Sequence, residues 1–312
     1  MSTITTPGHT TLHPQGGVSE SAIRHFVENG FLVVEDLVDE GELQRLEADL
    51  LFLACGGYPS PSLPVADPAA SDADVLAGIL CIHHPQMVSP VIRDNLRHPA
   101  LVAVLSRLVG AHLPYWDGSV NCLQSMYFAK TPGKPGQAWH QDEFYIPTRD
   151  RSLCGAWIAI DDATEDNGCL WVIPGSHRQG YLWPTRPPAD LEEFDGSPEC
   201  YSDDEGHGFD QSQAVAVPVR RGSVVFFNGY LLHRSLRNRS QRSRRALVHH
   251  YYNGWTQVPW ELKAEDRAGR AVEVAHYTHR GIVPVCGSDA YADQGIDDGA
   301  HPPHLRTWGK AW

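Results

Sequence analysis

The chain of 312 residues contains no Cys-x-x-Cys pair. Its seven cysteines (Cys55, Cys81, Cys122, Cys154, Cys169, Cys200 and Cys286) are odd in number and scattered. That pattern argues against a disulfide framework or a thiolate zinc site, and suits a reducing cytoplasm. No apolar run approaches the ~18–20 residues needed to span a bilayer. The polar N-terminal stretch also lacks the apolar core of a secretory signal. Basic residues are in deficit, 25 against 38 acidic, for a net charge of -13. A general affinity for nucleic-acid phosphates or anionic membrane surfaces is therefore not expected. No Gly-x-Gly-x-x-Gly follows a strand-like run, which leaves a dinucleotide fold without support. There is no internal repeat. What the chain does have is 42 % hydrophobic residues, enough for one large β domain with helical additions or two modest domains.

The N-terminal third reads as mostly helical. Residues 1–17, rich in Thr, Gly and Pro, are expected to be a flexible tail. Ser19 is placed to cap a helix over Glu20–Asn29, with Gly30 as its stop. A short strand is expected over Phe31–Glu35, then helices over Glu40–Leu53 and Pro99–Val109, whose Leu and Val residues recur at helical spacing. Between the latter two helices, 56–74 reads as an irregular loop. From Val120 the character changes. Val120–Phe128, Ala138–Tyr145, Leu153–Ile160, Cys169–Ile173, Ala214–Val219, Ser223–Phe227 and Ala246–Tyr252 are strand-like runs separated by Gly, Pro, Asn and Asp turns. Many short strands at this density indicate a sandwich or barrel rather than βαβ units. Residues 181–213 form a polar, acidic insertion, either a lid or a disordered segment, and 254–312 are expected to wrap the domain.

The residues that bear chemistry lie in the β region. In Trp139-His140-Gln141-Asp142, residues two apart on a strand share a face, so His140 and Asp142 stand side by side with Gln141 turned away. Alone, His-x-Asp is most often a surface pair. His233 follows 91 residues after Asp142, flanked by apolar residues, and such a histidine is more often a packing residue than a ligand. Together, however, two His and one carboxylate make the facial set of non-haem Fe(II) oxygenases. Eleven residues further on, Arg244 opens a strand. A guanidinium there calls for an anion, and a bidentate carboxylate matches its planar fork.

These residues, with Asp166-Asn167-Gly168-Cys169-Leu170-Trp171-Val172-Ile173-Pro174-Gly175-Ser176-His177, Arg221-Gly222-Ser223-Val224-Val225-Phe226-Phe227, His233-Arg234-Ser235, Asn238-Arg239-Ser240 and Arg244-Arg245-Ala246, carry a resemblance. From Ser19 to Tyr252 the chain resembles the phytanoyl-CoA dioxygenase family of Fe(II)- and 2-oxoglutarate-dependent oxygenases, which also includes ectoine hydroxylase. The resemblance implies a mainly β fold with flanking helices, a double-stranded β-helix (jelly roll, cupin-like), here taken as a single domain over 1–312. It implies His140, Asp142 and His233 as iron ligands, Arg244 and Ser235 on the distal carboxylate of 2-oxoglutarate, Gln124 at the cosubstrate's other end, and Trp157 lining that pocket. Arg245 replaces Arg244 if the strand register slips by one. Asn167-Gly168 and Pro174-Gly175-Ser176-His177 are expected to be structural turns.

The expected cofactors are Fe(II), 2-oxoglutarate and O2, and the expected reaction is hydroxylation of an unactivated C–H of a small molecule, releasing succinate and CO2. Family members that halogenate carry a small residue in place of the carboxylate ligand, so Asp142 favours hydroxylation. It leaves desaturation, epoxidation and ring formation open. A non-redox cupin-type metalloenzyme has no need of Arg244, and a binding protein no need of the three ligands. A cluster of Arg237, Arg239, Arg242, Arg244 and Arg245 either meets an anionic substrate or merely solvates a loop. His83-His84 and residues 56–74 are candidates to border the pocket.

Overall fold

The computed structural model describes residues 9–10, 17–63, 65–202, 208–258 and 280–307. Most of the expected tail over 1–17 lies outside the described residues. Short strand β1 (His9–Thr10) pairs in parallel with β2 (Phe31–Val34). Between them α1 (Glu20–Asn29) starts where Ser19 accepts a hydrogen bond from the Ala22 amide and stops at left-handed Gly30, as its capping residues dictate. Helix α2 (Glu40–Ala54) follows.

The expected loop over 56–74 ends early, because Ser71 and Asp74 form a reciprocal capping box that starts α3 (Asp72–Gly78). Strand β3 (Ile79–His83) is buried at every position. It therefore lacks the alternation that marks a half-exposed strand. Two helices, α4 (Pro90–Asn95) and α5 (Pro99–Leu108), complete this part.

The β region begins with β4 (Val120–Lys130), β5 (Gln137–His140), β6 (Cys154–Ala159) and β7 (Leu170–Val172). Two-residue strands β8 (Thr185–Arg186) and β9 (Glu199–Cys200) pair within the insertion. Then come β10 (Val215–Val217), β11 (Val224–Asn228), β12 (His233–Ser235) and β13 (Arg244–Asn253). The tail contributes β14 (Val283–Cys286) and β15 (His304–Thr307), which pair with β4 and β3. Neither reads as a strand locally, since each is an edge partner of chain more than a hundred residues away.

The large sheet runs β1-β2-β11-β6-β13-β4-β3-β15, and the small one β10-β7-β12-β5. Side chains at alternate positions part to opposite faces of the large sheet. Leu32, Val34, Val224, Phe226, Leu247 and Tyr251 pack against helical Leu43, Leu46, Leu50, Leu101 and Leu105. Phe31, Val33, Val225, Phe227 and Val248 instead meet Leu170, Val172 and Val217 of the small sheet. This is a jelly roll with helices on its outer face.

The described part of the insertion packs against the small sheet. Trp183 and Cys200 join Trp139, Ile173 and Leu232 in a buried cluster. All seven cysteines are unpaired, and among the described residues no helix is long and apolar enough to cross a membrane.

Candidate active site

His140 is the last residue of β5 and His233 the first of β12, and the two are direct register partners. Their rings stand 4.0 Å apart between centroids. Asp142 is not on a strand, which corrects the expected run over Ala138–Tyr145. The strand ends at His140, Gln141 stays extended, and Asp142 opens a 3-10 turn over Asp142–Phe144. Its carbonyl accepts from the amides of Tyr145 and Ile146. Because Gln141 is still extended, His140 and Asp142 project to the same side as expected.

The three side chains offer ligand atoms all within 4.8 Å of one another, and all three residues are buried. Asp142 Oδ1 lies 3.7 Å from Nε2 of both histidines, too far for hydrogen bonds and suited to donors around a shared cation. Each imidazole is fixed from behind. Nδ1 of His140 bonds the Ala138 carbonyl at 2.8 Å, and Nδ1 of His233 the Leu231 carbonyl at 2.9 Å. A carbonyl only accepts, so each Nδ1 carries the proton and each Nε2 turns a lone pair inward. Burial, aided by His233, pushes the His140 imidazole down to about 3, so it stays neutral at physiological pH.

Burial alone raises the Asp142 pKa, but His233, His250 and His140 outweigh that and hold it below the usual carboxylate range. His250 was not foreseen. It lies on the inner face of β13 and donates from Nε2 to Asp142 Oδ2 at 3.0 Å, leaving Oδ1 for the centre. Two imidazoles oriented from behind and one anchored carboxylate are a donor set that fits a divalent transition metal.

Two residues beyond His233 on β12, about 7 Å along the strand, Ser235 lies in a second polar corner. Arg244 is 3 % exposed. Its Nε donates to the Gly168 carbonyl at 3.1 Å, and its guanidinium stands 5.4 Å over the Trp157 ring. Burial pushes it down to about 10, which leaves it charged at neutral pH. Among the described residues it has no carboxylate partner. Arg245 points to the helical face, where it binds Asp161 at 2.6 Å and Glu47 at 2.5 Å. Period two along β13 separates the pair: Arg244 shares the inner face with Val248 and His250, and Arg245 shares the outer face with Leu247.

The other arginines of that cluster hold loops together. Arg239 pairs with Glu193 at 2.5 Å, Arg242 stands 3.8 Å from Asp166, and Arg237 donates to the Glu192 carbonyl. They do not assemble a basic mouth.

Gln124 lies on the inner face of β4, with Nε2 3.3 Å from His84 Nε2 and 3.5 Å from His83 Nδ1. His83 and His84 stack on His304 and His301 of the tail. Gln141, between His140 and Asp142 in sequence, fastens the insertion, donating to the carbonyls of Tyr181 and Tyr230 and accepting from the Trp183 amide. Phe144, Tyr145 and Tyr181 remain substantially exposed. The expected turns are present: Asn167 bonds the Thr164 amide and Asp162 carbonyl, and His177 bonds the Val27 carbonyl.

Fold and site together define a jelly-roll protein with a candidate His-Asp-His metal centre. The chain belongs to the phytanoyl-CoA dioxygenase family, whose model matches residues 26–246. A phytanoyl-CoA dioxygenase of Arabidopsis thaliana is 33 % identical over 148 residues, covering 46 % of this chain and 50 % of that protein. The chain thus spans about half the length of the curated relatives of this kind. Two solved structures share the fold. One is SnoK, a non-haem α-ketoglutarate-dependent carbocyclase from nogalamycin biosynthesis, at 22 % identity and TM-score 0.56, covering 80 % of this chain and 89 % of that one. The other is EctD from S. alaskensis with 2-oxoglutarate and 5-hydroxyectoine, at 21 % and 0.55, covering 82 % and 83 %.

Proposed function

We propose that this protein is an Fe(II)- and 2-oxoglutarate-dependent dioxygenase that hydroxylates an unactivated C–H of a small-molecule metabolite in the cytoplasm. The observation that carries the reading is Arg244, a buried guanidinium with no carboxylate partner among the described residues, in the same jelly roll as the donor triad. A diacid that chelates the metal at one end and reaches this corner with the other accounts for both features. When bound, Fe(II) and 2-oxoglutarate supply the oxidising power: substrate C–H, O2 and 2-oxoglutarate become C–OH, succinate and CO2.

The chain's own residues position and exclude. His140, His233 and Asp142 would hold the metal, which when bound would supply the site for the diacid and O2. His250 fixes the Asp142 rotamer. Arg244 and Ser235 hold the distal carboxylate, with Trp157 as the wall behind the guanidinium and Gln124 toward the other end. Gln141, turned away from the donors, ties Tyr181–Trp183 to the other face of β5 and so stiffens the strand that carries His140. Asp142 occupies the position that a halide would need, which favours hydroxylation over halogenation.

The exposed rings of Phe144, Tyr145 and Tyr181, together with loop arginines that are already paired among the described residues, support a small polar or amphiphilic substrate over a long acyl-CoA. Incubation of the purified protein with Fe(II), ascorbate, O2 and a metabolite panel is expected to convert 2-oxoglutarate to succinate, faster with the true substrate. Asp142→Ala is expected to abolish that turnover. No succinate across a broad panel, or full activity in Asp142→Ala, would refute the reading.

A further inference from the structure

Arg244 is not the only buried cation in its corner. Lys130 ends β4 as the direct register partner of Arg244, on the same inner face as Gln124, and is 6 % exposed. Its Nζ donates to Ser235 Oγ at 2.8 Å and to the Leu236 carbonyl at 2.7 Å. Both acceptors are neutral, as is the Gly168 carbonyl that Arg244 uses. The backbone makes room for the pair. Gly168 sits at φ +88°, and a Cβ there would stand 2.5 Å from the Leu236 carbonyl oxygen and 3.1 Å from Lys130 Nζ.

The acids whose charge reaches Lys130, Asp195 and Glu193, are committed elsewhere. Asp195 pairs with Arg306 at 3.3 Å and Glu193 with Arg239 at 2.5 Å. Burial and the facing Arg244 push the Lys130 ammonium well down from its ordinary value, against the weaker pull of Asp195, Glu193 and Cys169. Among the described residues, Lys130 and Arg244 are thus two adjacent interior basic groups with no carboxylate partner, and an anion beside them would hold Lys130 protonated. Such an arrangement is costly unless an anion enters from outside.

We infer that Lys130 is a second binding residue for the distal carboxylate of the 2-oxoacid, acting beside Arg244, and that this corner selects a diacid over a monoacid. The inference rests on the proposed 2-oxoglutarate chemistry and adds a residue to it. The alternative is a neutral amine that merely ties β4 to β12. A neutral tie supports the fold but does not distinguish a carboxylate from a methyl group at the far end of the ligand.

The test titrates the anaerobic Fe(II) protein by calorimetry with 2-oxoglutarate and with 2-oxopentanoate, which carries a methyl in place of the distal carboxylate. A charge-assisted contact of this kind corresponds to about 10- to 100-fold in affinity. Lys130→Met is expected to weaken 2-oxoglutarate by that factor and 2-oxopentanoate by under about threefold, with Fe(II) affinity unchanged. Lys130→Arg, which keeps the charge, is expected to restore most of the loss. Equal affinity for 2-oxoglutarate in wild type and Lys130→Met overturns the inference, as does equal weakening of both ligands. If Arg244→Met weakens 2-oxoglutarate and Lys130→Met does not, the function reading stands and Lys130 falls. A wild-type Fe(II) protein that fails to bind 2-oxoglutarate overturns both.

Discussion

Gly168→Ala gives a quantitative test of how tightly the cation corner is built, because the chain supplies its own control. Gly133 has nearly the same backbone torsion, φ +80°, but nothing lies within 4 Å of where its Cβ would go. Alanine in that left-handed conformation costs about 1–2 kcal/mol, partly offset by about 0.4–1 kcal/mol from the stiffer unfolded chain. Gly133→Ala should therefore destabilise by about 1 kcal/mol. At Gly168 the same torsional cost applies, and the Cβ also meets a backbone oxygen at 2.5 Å, which cannot swing aside, and the Lys130 side chain at 3.1 Å. Overpacking of a fixed interior adds about 1–3 kcal/mol, for a total of about 2–4 kcal/mol. Urea unfolding of both variants measures the difference, with equal m-values as the check that the same transition is compared. Gly168→Ala should also weaken 2-oxoglutarate binding, and Gly133→Ala should not. If the two variants cost the same within about 0.5 kcal/mol, the close approach of Lys130 and Leu236 to Gly168 is not a constraint, and the reasoning fails.

Arg244 and Arg245 should show opposite signatures. Arg245→Met deprives Asp161 of its guanidinium partner and leaves Glu47 only Arg221, and is expected to cost about 1–2 kcal/mol of stability, with 2-oxoglutarate affinity unchanged. Arg244→Met should leave stability nearly intact, since it removes an unpaired buried charge, and weaken 2-oxoglutarate about 10- to 100-fold. Unfolding curves and titrations on the two variants read this directly, and exchanged phenotypes would mean the inner face is assigned to the wrong arginine. Stability of the metal-free protein should fall in mild acid. Burial pushes His83, His140 and His249 down to about 3 and His84 to about 2. Their stabilising contribution is therefore present above the unfolded value near 6.5 and is lost as pH drops below it. Glu143, raised to about 7 by burial, acts in the opposite sense and offsets about 2 kcal/mol on going to pH 5.5. Four histidines losing about 1.4 kcal/mol each leave a net fall of about 4 kcal/mol between pH 7.5 and 5.5. Stability that is flat or rising over that window would contradict the burial of these rings.

Much of the site was legible before any fold was known. His140 and Asp142 are adjacent enough for local geometry to set them side by side, whatever surrounds them. The inward face of Arg244 follows from strand parity once β13 is granted, and the capping residues Ser19 and Gly30 set the limits of α1. Lys130 could have been reached by the same parity argument, six residues on from Gln124. The strand-like run reads as Val120–Phe128 and so stops short of it, whereas the strand continues to Lys130. His250 carried a weaker signal, the second of two adjacent histidines in a run buried at nearly every position.

The order of residues by itself determined the donor types, the parity that separates Arg244 from Arg245, and the limits of α1, α2 and α5 to within a residue. Torsional preference, capping and period-two alternation act within a few residues, so they can be read locally. The tertiary structure alone decided that β5 and β12 meet with His140 opposite His233, that Lys130 faces Arg244, and that the tail closes the sheet through β14 and β15. Those pairings join segments dozens to more than two hundred residues apart. They are set by which apolar faces can be buried together, a property of the whole chain rather than of any stretch of it.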